Sequence, residues 1–367
     1  MIGSDVSLAT RYDVALLDLD GVVYLGEQPV TGAPDALEAA RRAGMRLAFV
    51  TNNASRTPVQ VAELLHRVGV PAEPDEVVTS AQAAAHYLAD RLPAGAAVLV
   101  VGTTGLTEAL IERGLRPVSS AEQDPAAVVQ GFYPGTDWQA LAEAAVAIGR
   151  GVPWLATNLD ATVPSPRGPL PGNGSLVAAL RHATGRTPAA TGKPDPAMHA
   201  ESVERSGARH PIVVGDRLDT DIEGARRSDC ASLLVFTGVT DPAGLLAAPP
   251  LHRPDYLGRD LSALLYPHPE VREADRLVSC GSAQVRITDA ELLLGARSAN
   301  GSHGPDGHEN SHGGQDLHGG ENLDGLRALA VASWRLLDDG GRTLRIRGTD
   351  EAAARLIEQL GLGPAAG

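Results

Sequence analysis

The chain has 367 residues, 43% hydrophobic and 21% charged, and its 31 basic and 45 acidic side chains give a formal net charge of −14. That length predicts about two domains with room for a small third, and the composition is that of a globular protein. The acidic balance excludes a nucleic-acid binder, which needs a basic face, and no 18-residue apolar run is present to span a membrane. The start, MIGSDVSLATRYD, lacks the basic lead and apolar stretch of a signal peptide. With only Cys230 and Cys280 there is no disulfide framework, so the expected location is the cytoplasm. A single lysine, Lys193, stands among arginines, and in that background it asks for a reason.

YDVALLDLDGVVYL reads as a buried strand that breaks at Gly21 into a polar loop. A helix over APDALEAARRAG follows, then a second buried strand in MRLAFVTNNASRTP and a helix from about Pro58 to Val68. This alternation predicts a parallel sheet with covered faces. Between residues 90 and 186, AAVLVVG, AVVQGFY and PWLATN read as strands, and LTEALIERG, DWQALAEAAVAIG and SLVAALRHATG as helices. The first sheet resumes with PIVVGD, a helix in DIEGARRSD, a strand in CASLLVFTGV and a short one around PDYL. After Pro267 two strands are expected in VSCGSAQVRI and DAELLLGA. A glycine-rich stretch follows, then a helix in DGLRALAVASWRLLDDG, a strand in TLRIRG and a helix in EAAARLIEQLG.

Ligand sites in open parallel sheets lie beyond the carboxyl ends of the strands. Those ends carry Asp18 to Val22 (DLDGV), Thr51 to Asn53 (TNN) and Gly215 to Asp221 (GDRLDTD), and TGKPDP with Lys193 opens a helix. Taken singly, each has a plain reading: a solvated turn, a helix cap or a surface lysine. Together they place carboxylates, an ammonium group and hydroxyl or amide donors in one crevice. Such a set suits phosphoryl chemistry on an oxygen-ligated cation such as Mg²⁺.

In order and spacing the four clusters resemble the motifs of the haloacid dehalogenase-like hydrolases, over about residues 8 to 267. They are most similar to the branch that includes nitrophenyl-phosphate, phosphoglycolate, pyridoxal-phosphate and glycerol-3-phosphate phosphatases. The resemblance implies that Asp18 is the nucleophile, forming an aspartyl phosphate. Asp20 would then act as acid to the leaving alkoxide and base to the hydrolytic water. It implies that the Thr51 hydroxyl and Asn52 backbone N–H hold phosphate oxygens, with Lys193 neutralising the transferred group. Asp18, Asp216 and the backbone carbonyl of Asp20 would bind Mg²⁺, and Asp221 would order the ligands behind them. A compact ammonium differs from the planar guanidinium fork, which explains a lysine here.

Only the roughly 140 residues between Thr51 and Lys193 can hold a further domain, since about thirty separate Asp18 from Thr51. The expected fold is α/β: a doubly wound parallel-sheet core (8–89 and 187–267), an inserted α/β cap (90–186) and a C-terminal α+β extension (268–367). A cap that closes over the crevice favours a small soluble phosphate monoester as partner. In it Asn158 and Asp160, with Thr157 and GNGS at Gly172 to Ser175, would read the substrate, or else form a turn and a helix cap. The resemblance favours glycerol 3-phosphate, with phosphoglycolate and pyridoxal phosphate as alternatives. A phosphotransferase or mutase with the same core, and a phospho-aspartate signalling module, are the other classes. The extension faintly resembles half of an acetyltransferase fold but shows no pyrophosphate-binding loop; docking or homodimer formation is the simpler role. Its glycine- and histidine-rich loop (299–322) carries His303, His308, His312 and His318, which are candidate Zn²⁺ or Ni²⁺ ligands.

Overall fold

The computed structural model describes residues 1–163, 167–289, 291–296, 320–341 and 345–363. The first sheet has six parallel strands in the order Tyr256–Gly258, Ala231–Val235, Pro211–Gly215, Val14–Leu17, Arg46–Thr51, Val77–Thr79. Every residue of Val14–Leu17 is buried, as a central parallel strand covered on both faces requires. On one face Phe49 packs with Leu37 and Leu65 from the helices Ala33–Arg42 and Pro58–Arg67. On the other, Val213 packs with Met198 and Ala225 from Pro196–Ser206 and Glu223–Arg227. Val14–Leu17 pairs with Arg46–Thr51 on one side and Pro211–Gly215 on the other. The chain winds away from it in both directions, so a crevice opens beyond its carboxyl end. This is the expected doubly wound core. Val77–Thr79 was not anticipated: three residues carry too short a pattern to announce a strand.

A second parallel sheet, inserted between Thr51 and Lys193, runs Ala189–Ala190, Trp154–Ala156, Ala127–Gln130, Ala97–Val101, Arg116–Val118. Its last strand, Ala189–Ala190, extends the insert past residue 186 and ends three residues before Lys193. The cap strands therefore point their carboxyl ends toward the core crevice. At the root of the insert, Glu201 is 1% exposed. It accepts hydrogen bonds from Arg113 of the insert (2.9 Å) and from His86 and Arg205 of the core.

The C-terminal unit is an antiparallel meander of Arg272–Ala274, Leu277–Cys280, Ala283–Ile287 and Glu291–Ala296, to which Arg345–Gly348 adds in parallel. The single strand expected over VSCGSAQVRI is in fact two, because the chain reverses at Gly281, whose φ of +52° favours glycine. The helix Gly320–Asp338 crosses this sheet, and Leu326 and Leu329 join one apolar cluster with Leu234, Leu245 and Leu257 of the core. Trp334 Nε1 donates to the Leu245 carbonyl (2.8 Å) and Arg253 pairs with Asp338 (2.6 Å). Residues 299–319 lie outside the described residues, and with them His303, His308, His312 and His318 and any metal bound there. No helix among the described residues is long and apolar enough to cross a membrane.

Glu201→Ala removes the buried carboxylate that ties insert to core and leaves Arg113 and Arg205 without it. Charge-assisted hydrogen bonds of this kind are each worth about 1.5–3 kcal/mol. Urea unfolding is expected to show a loss of about 2–3 kcal/mol, with Glu201→Gln intermediate.

Candidate active site

Asp18 follows the central strand directly, its backbone N–H bonded to the Val214 carbonyl (2.9 Å). Three residues later the chain turns at Gly21, with φ of +87°. A Cβ at Gly21 would stand 2.7 Å from Asp216 Oδ2, and one at Gly238 would stand 2.0 Å from the same oxygen. Both glycines let loops close over the Asp216 carboxylate, which ends the neighbouring strand. Asp216 Oδ2 accepts from the Val239 N–H (2.6 Å), whereas its Oδ1 is buried with no hydrogen-bond partner among the described residues.

Lys193 is 5% exposed. Its ammonium donates to Asp18 Oδ1, to Asp221 Oδ1 (2.7 Å) and to the Val50 carbonyl (3.3 Å). Asp221 in turn accepts from the Arg217 N–H (3.2 Å). Oxygens of Asp18, Asp216 and Asp221 all lie within 4.8 Å of one another. Three carboxylates thus crowd together, and the Lys193 ammonium pairs with two of them. Burial raises the Asp18 carboxyl well above its ordinary range against the pull of Lys193, and Asp221 and Asp216 add to the rise. Burial, with Asp221 beside it, pushes Asp216 up to about 6. Lys193 is held above its ordinary range: burial opposes this, and the carboxylates of Asp18 and Asp221 outweigh it. The unpartnered Asp216 Oδ1, the surplus negative charge and the all-oxygen donor set fit a hard divalent cation.

Asp20 sits at the crevice mouth, on the turn that brings it back beside Tyr24. The surrounding protein raises its carboxyl, with the Arg56 guanidinium pulling the other way. Thr51 is buried and its hydroxyl accepts from the Asn53 N–H (3.1 Å). The Asn52 side chain is fully engaged: Oδ1 accepts from the Lys193 N–H (2.8 Å), and Nδ2 donates to the Lys193 carbonyl (3.1 Å) and Asp160 Oδ2 (3.2 Å). Its carbonyl accepts from Asn158 Nδ2 (2.7 Å) and Ser80 Oγ (2.6 Å). Asn158 and Asp160 therefore meet the crevice as a strap that ties the cap to the second motif. Burial raises Asp160 despite the Asn52 bond. Asn173, in GNGS, steadies the strap by donating to the Asn158 carbonyl (2.8 Å). Of the expected core residues, Asp18, Asp216, Asp221 and Lys193 meet in one cluster and Asn52 joins it through the Lys193 backbone, whereas Asp20 and Thr51 make only local contacts. Sequence reading missed Arg56, an exposed cation three residues after Asn53, and Ser80, which follows the unforeseen strand.

Family profiles for haloacid dehalogenase-like hydrolases match residues 15–116 and, under the description HAD-hydrolase-like, 190–264. The chain is 51% identical over 258 residues to D-glycerol 3-phosphate phosphatase of Mycobacterium tuberculosis, covering 70% of this chain and 72% of that one. The chain belongs to the haloacid dehalogenase-like hydrolases. Within them it falls in the cap-carrying phosphatase branch and is a phosphoric monoester hydrolase. A Staphylococcus aureus acid sugar phosphatase is 36% identical over 232 residues, 63% of this chain and 88% of that one. A crystal structure of the M. tuberculosis glycerol phosphate phosphatase with magnesium superposes with a TM-score of 0.83 at 42% identity, covering 97% of this chain and 99% of that one. The 4-nitrophenylphosphatase of Thermotoga maritima gives 0.65 at 31%, covering 70% and 97%. A profile described as a GCN5-related N-acetyltransferase like domain matches residues 280–362.

Behind the phosphatase site, His199 is 1% exposed and neither ring nitrogen has a partner among the described residues. Burial, with Lys193 nearby, pushes it down to about 3. The unfolded chain takes up this proton near pH 6.5 and the folded chain does not, so stability falls as pH drops through that window. The loss is about 1.4 kcal/mol per pH unit below 6.5. Denaturant titrations at pH 7 and pH 5 are expected to differ by about 2 kcal/mol less in His199→Phe than in the parent chain.

Proposed function

We propose that this phosphatase hydrolyses a small phosphate monoester, foremost glycerol 3-phosphate, through an aspartyl phosphate on Asp18. The observation that carries the reading is the cluster of Asp18, Asp216 and Asp221 at the turning point of the sheet, two of them paired with the buried Lys193 ammonium. Asp18, Asp216 and the backbone carbonyl of Asp20 would hold Mg²⁺, which when bound screens the repulsion between a carboxylate nucleophile and a dianionic ester.

The Asp18 carboxylate attacks phosphorus, forming the Asp18–phosphorus bond as the bond to the alkoxide breaks. Asp20, whose raised carboxyl retains a proton more readily than a free aspartate, delivers it to that alkoxide. The same carboxylate then takes a proton from water, which attacks phosphorus, releases inorganic phosphate and restores Asp18. Lys193 stabilises the non-bridging oxygens and keeps Asp18 aimed. The Thr51 hydroxyl and Asn52 N–H hold the phosphoryl oxygens, and Asp221 keeps Lys193 in place. Asn158 and Asp160 close the cap over the leaving group, and Arg56 lies where it can meet an anionic or hydroxylated ester at the mouth.

The likeness to D-glycerol 3-phosphate phosphatase supports glycerol 3-phosphate as substrate, and the likeness to acid sugar phosphatase makes sugar phosphates the second arm of a test. Accumulation of inorganic phosphate at each turnover separates hydrolysis from transfer to a second hydroxyl. The acidic chain, with no membrane-crossing helix among the described residues, supports a cytoplasmic enzyme, and we put its solution state as a homodimer, which sedimentation velocity checks.

Asp18→Asn and chelation of the metal are each expected to abolish phosphate release. Asp20→Asn is expected to lower kcat by about 10²–10⁴, and Lys193→Arg by about 10²–10³. Steady-state assays across glycerol 3-phosphate, phosphoglycolate, pyridoxal phosphate and sugar phosphates should give the highest kcat/KM for the first. A flat profile, or full activity in Asp18→Asn, removes the reading.

A further inference from the structure

The helix Pro196–Ser206 begins three residues after Lys193, and the Asp195 side chain caps it by accepting from the Ala197 N–H (2.9 Å). His199 lies in its first turn and is buried, yet neither ring nitrogen has a hydrogen-bond partner among the described residues. An unsatisfied polar group of this kind costs stability, so its presence asks for a reason. Without a partner the ring relays no proton. Nor does it belong to either group of the described residues that could hold a metal ion. What remains is its shape and where it is packed.

The helix Glu223–Arg227 passes beside the ring. A Cβ on Gly224 would stand 2.5 Å from His199 Cε1, 3.2 Å from its Nδ1 and 3.4 Å from Pro194 Cα. The imidazole therefore lies against bare helix backbone, in the same notch that receives the residue after Lys193. Three residues before Gly224 comes Asp221, whose Oδ1 accepts from the Lys193 ammonium (2.7 Å). Two links thus join Lys193 to one short segment: its ammonium to Asp221 at the tip, and Pro194 with the His199 ring to Gly224 at the base. Burial, with the Lys193 charge adding to it, keeps the ring neutral. An imidazolium here would set a second cation against the ammonium group.

We propose that His199 is a positioning residue for Lys193. Its ring is a wedge between the start of its own helix and Gly224, and it fixes the Lys193 turn so that the ammonium meets both Asp18 and Asp221. Interiors are close-packed, so removing the wedge or crowding its notch shifts that turn. The inference rests on the phosphoryl-stabilising role proposed for Lys193, and it adds a side chain that acts on the reaction without touching substrate.

The test measures phosphate release from glycerol 3-phosphate and 4-nitrophenyl phosphate by the full-length enzyme with magnesium, together with melting temperatures. His199→Ala and Gly224→Ala are each expected to lower kcat at least about tenfold while KM changes less than about threefold. In the double variant the new methyl occupies part of the vacated space, so kcat should rise above that of either single variant. Val203→Ala, on the same helix and packed against the apolar cluster that contains Met198, loses stability but should keep the parental kcat. In a Lys193→Arg background, His199→Ala should change kcat by less than about twofold, because the group it positions is gone. If His199→Ala does not fold, His199→Val, which keeps an apolar filling without the reach of the ring, replaces it in each comparison. Parental kcat in the His199 variant, an equal loss in Val203→Ala, no recovery in the double variant, or an undiminished loss in Lys193→Arg overturns the proposal. Full phosphate release in Asp18→Asn instead removes the reading of the site on which it rests.

Discussion

The site rests on one buried ammonium group. Lys193 is almost wholly removed from water, a position that is costly for a charge unless it is paired and hydrogen-bonded. It is repaid by Asp18, Asp221 and the Val50 carbonyl, and these come from three separate strand ends. The sheet must be wound in both directions from Val14–Leu17 for those ends to meet. Three carboxylates around one cation also leave the cluster short of positive charge, which is why burial lifts Asp18 and Asp216. The fold thus stores an electrostatic deficit at the place where a metal and a phosphoryl group are to be handled. Arginine could not replace the lysine without redirecting its planar fork.

Asn52 gives that cluster its connection to the cap. One amide holds the backbone of Lys193 at both N–H and carbonyl and also grips Asp160, while its own carbonyl takes Asn158. The position of the cap and the position of the ammonium group are therefore set by the same side chain. Parting cap from core at this point costs hydrogen bonds on both sides of Asn52.

Much of this was legible in the residues because VALL, LAFVT and PIVV are unbroken apolar runs, which a doubly covered parallel strand demands. Asp18, Thr51 and Asp216 were legible because each falls where such a run ends, and Lys193 because it is the chain's single lysine. What stayed hidden had physical reasons. Val77–Thr79 and Ala189–Ala190 are two- or three-residue strands, stabilised by their neighbours rather than by any periodicity of their own. The break at Gly281 lies within a run whose alternation continues on either side. The partnership of Asn52 with Asp160 spans 108 positions and leaves no local trace, and Arg56 is one arginine among thirty.

The extension shares a single apolar cluster with the phosphatase core, because Leu234, Leu245 and Leu257 lie against Leu326 and Leu329. The S. aureus relative aligns to 63% of this chain with 88% of its own length, so it has little room for an equivalent unit. Without the extension this chain would expose those leucines to water, so its long helix completes one face of the core sheet. A charged side chain at any one of these leucines would be stranded in the seam, so core and extension share one tolerance to substitution here.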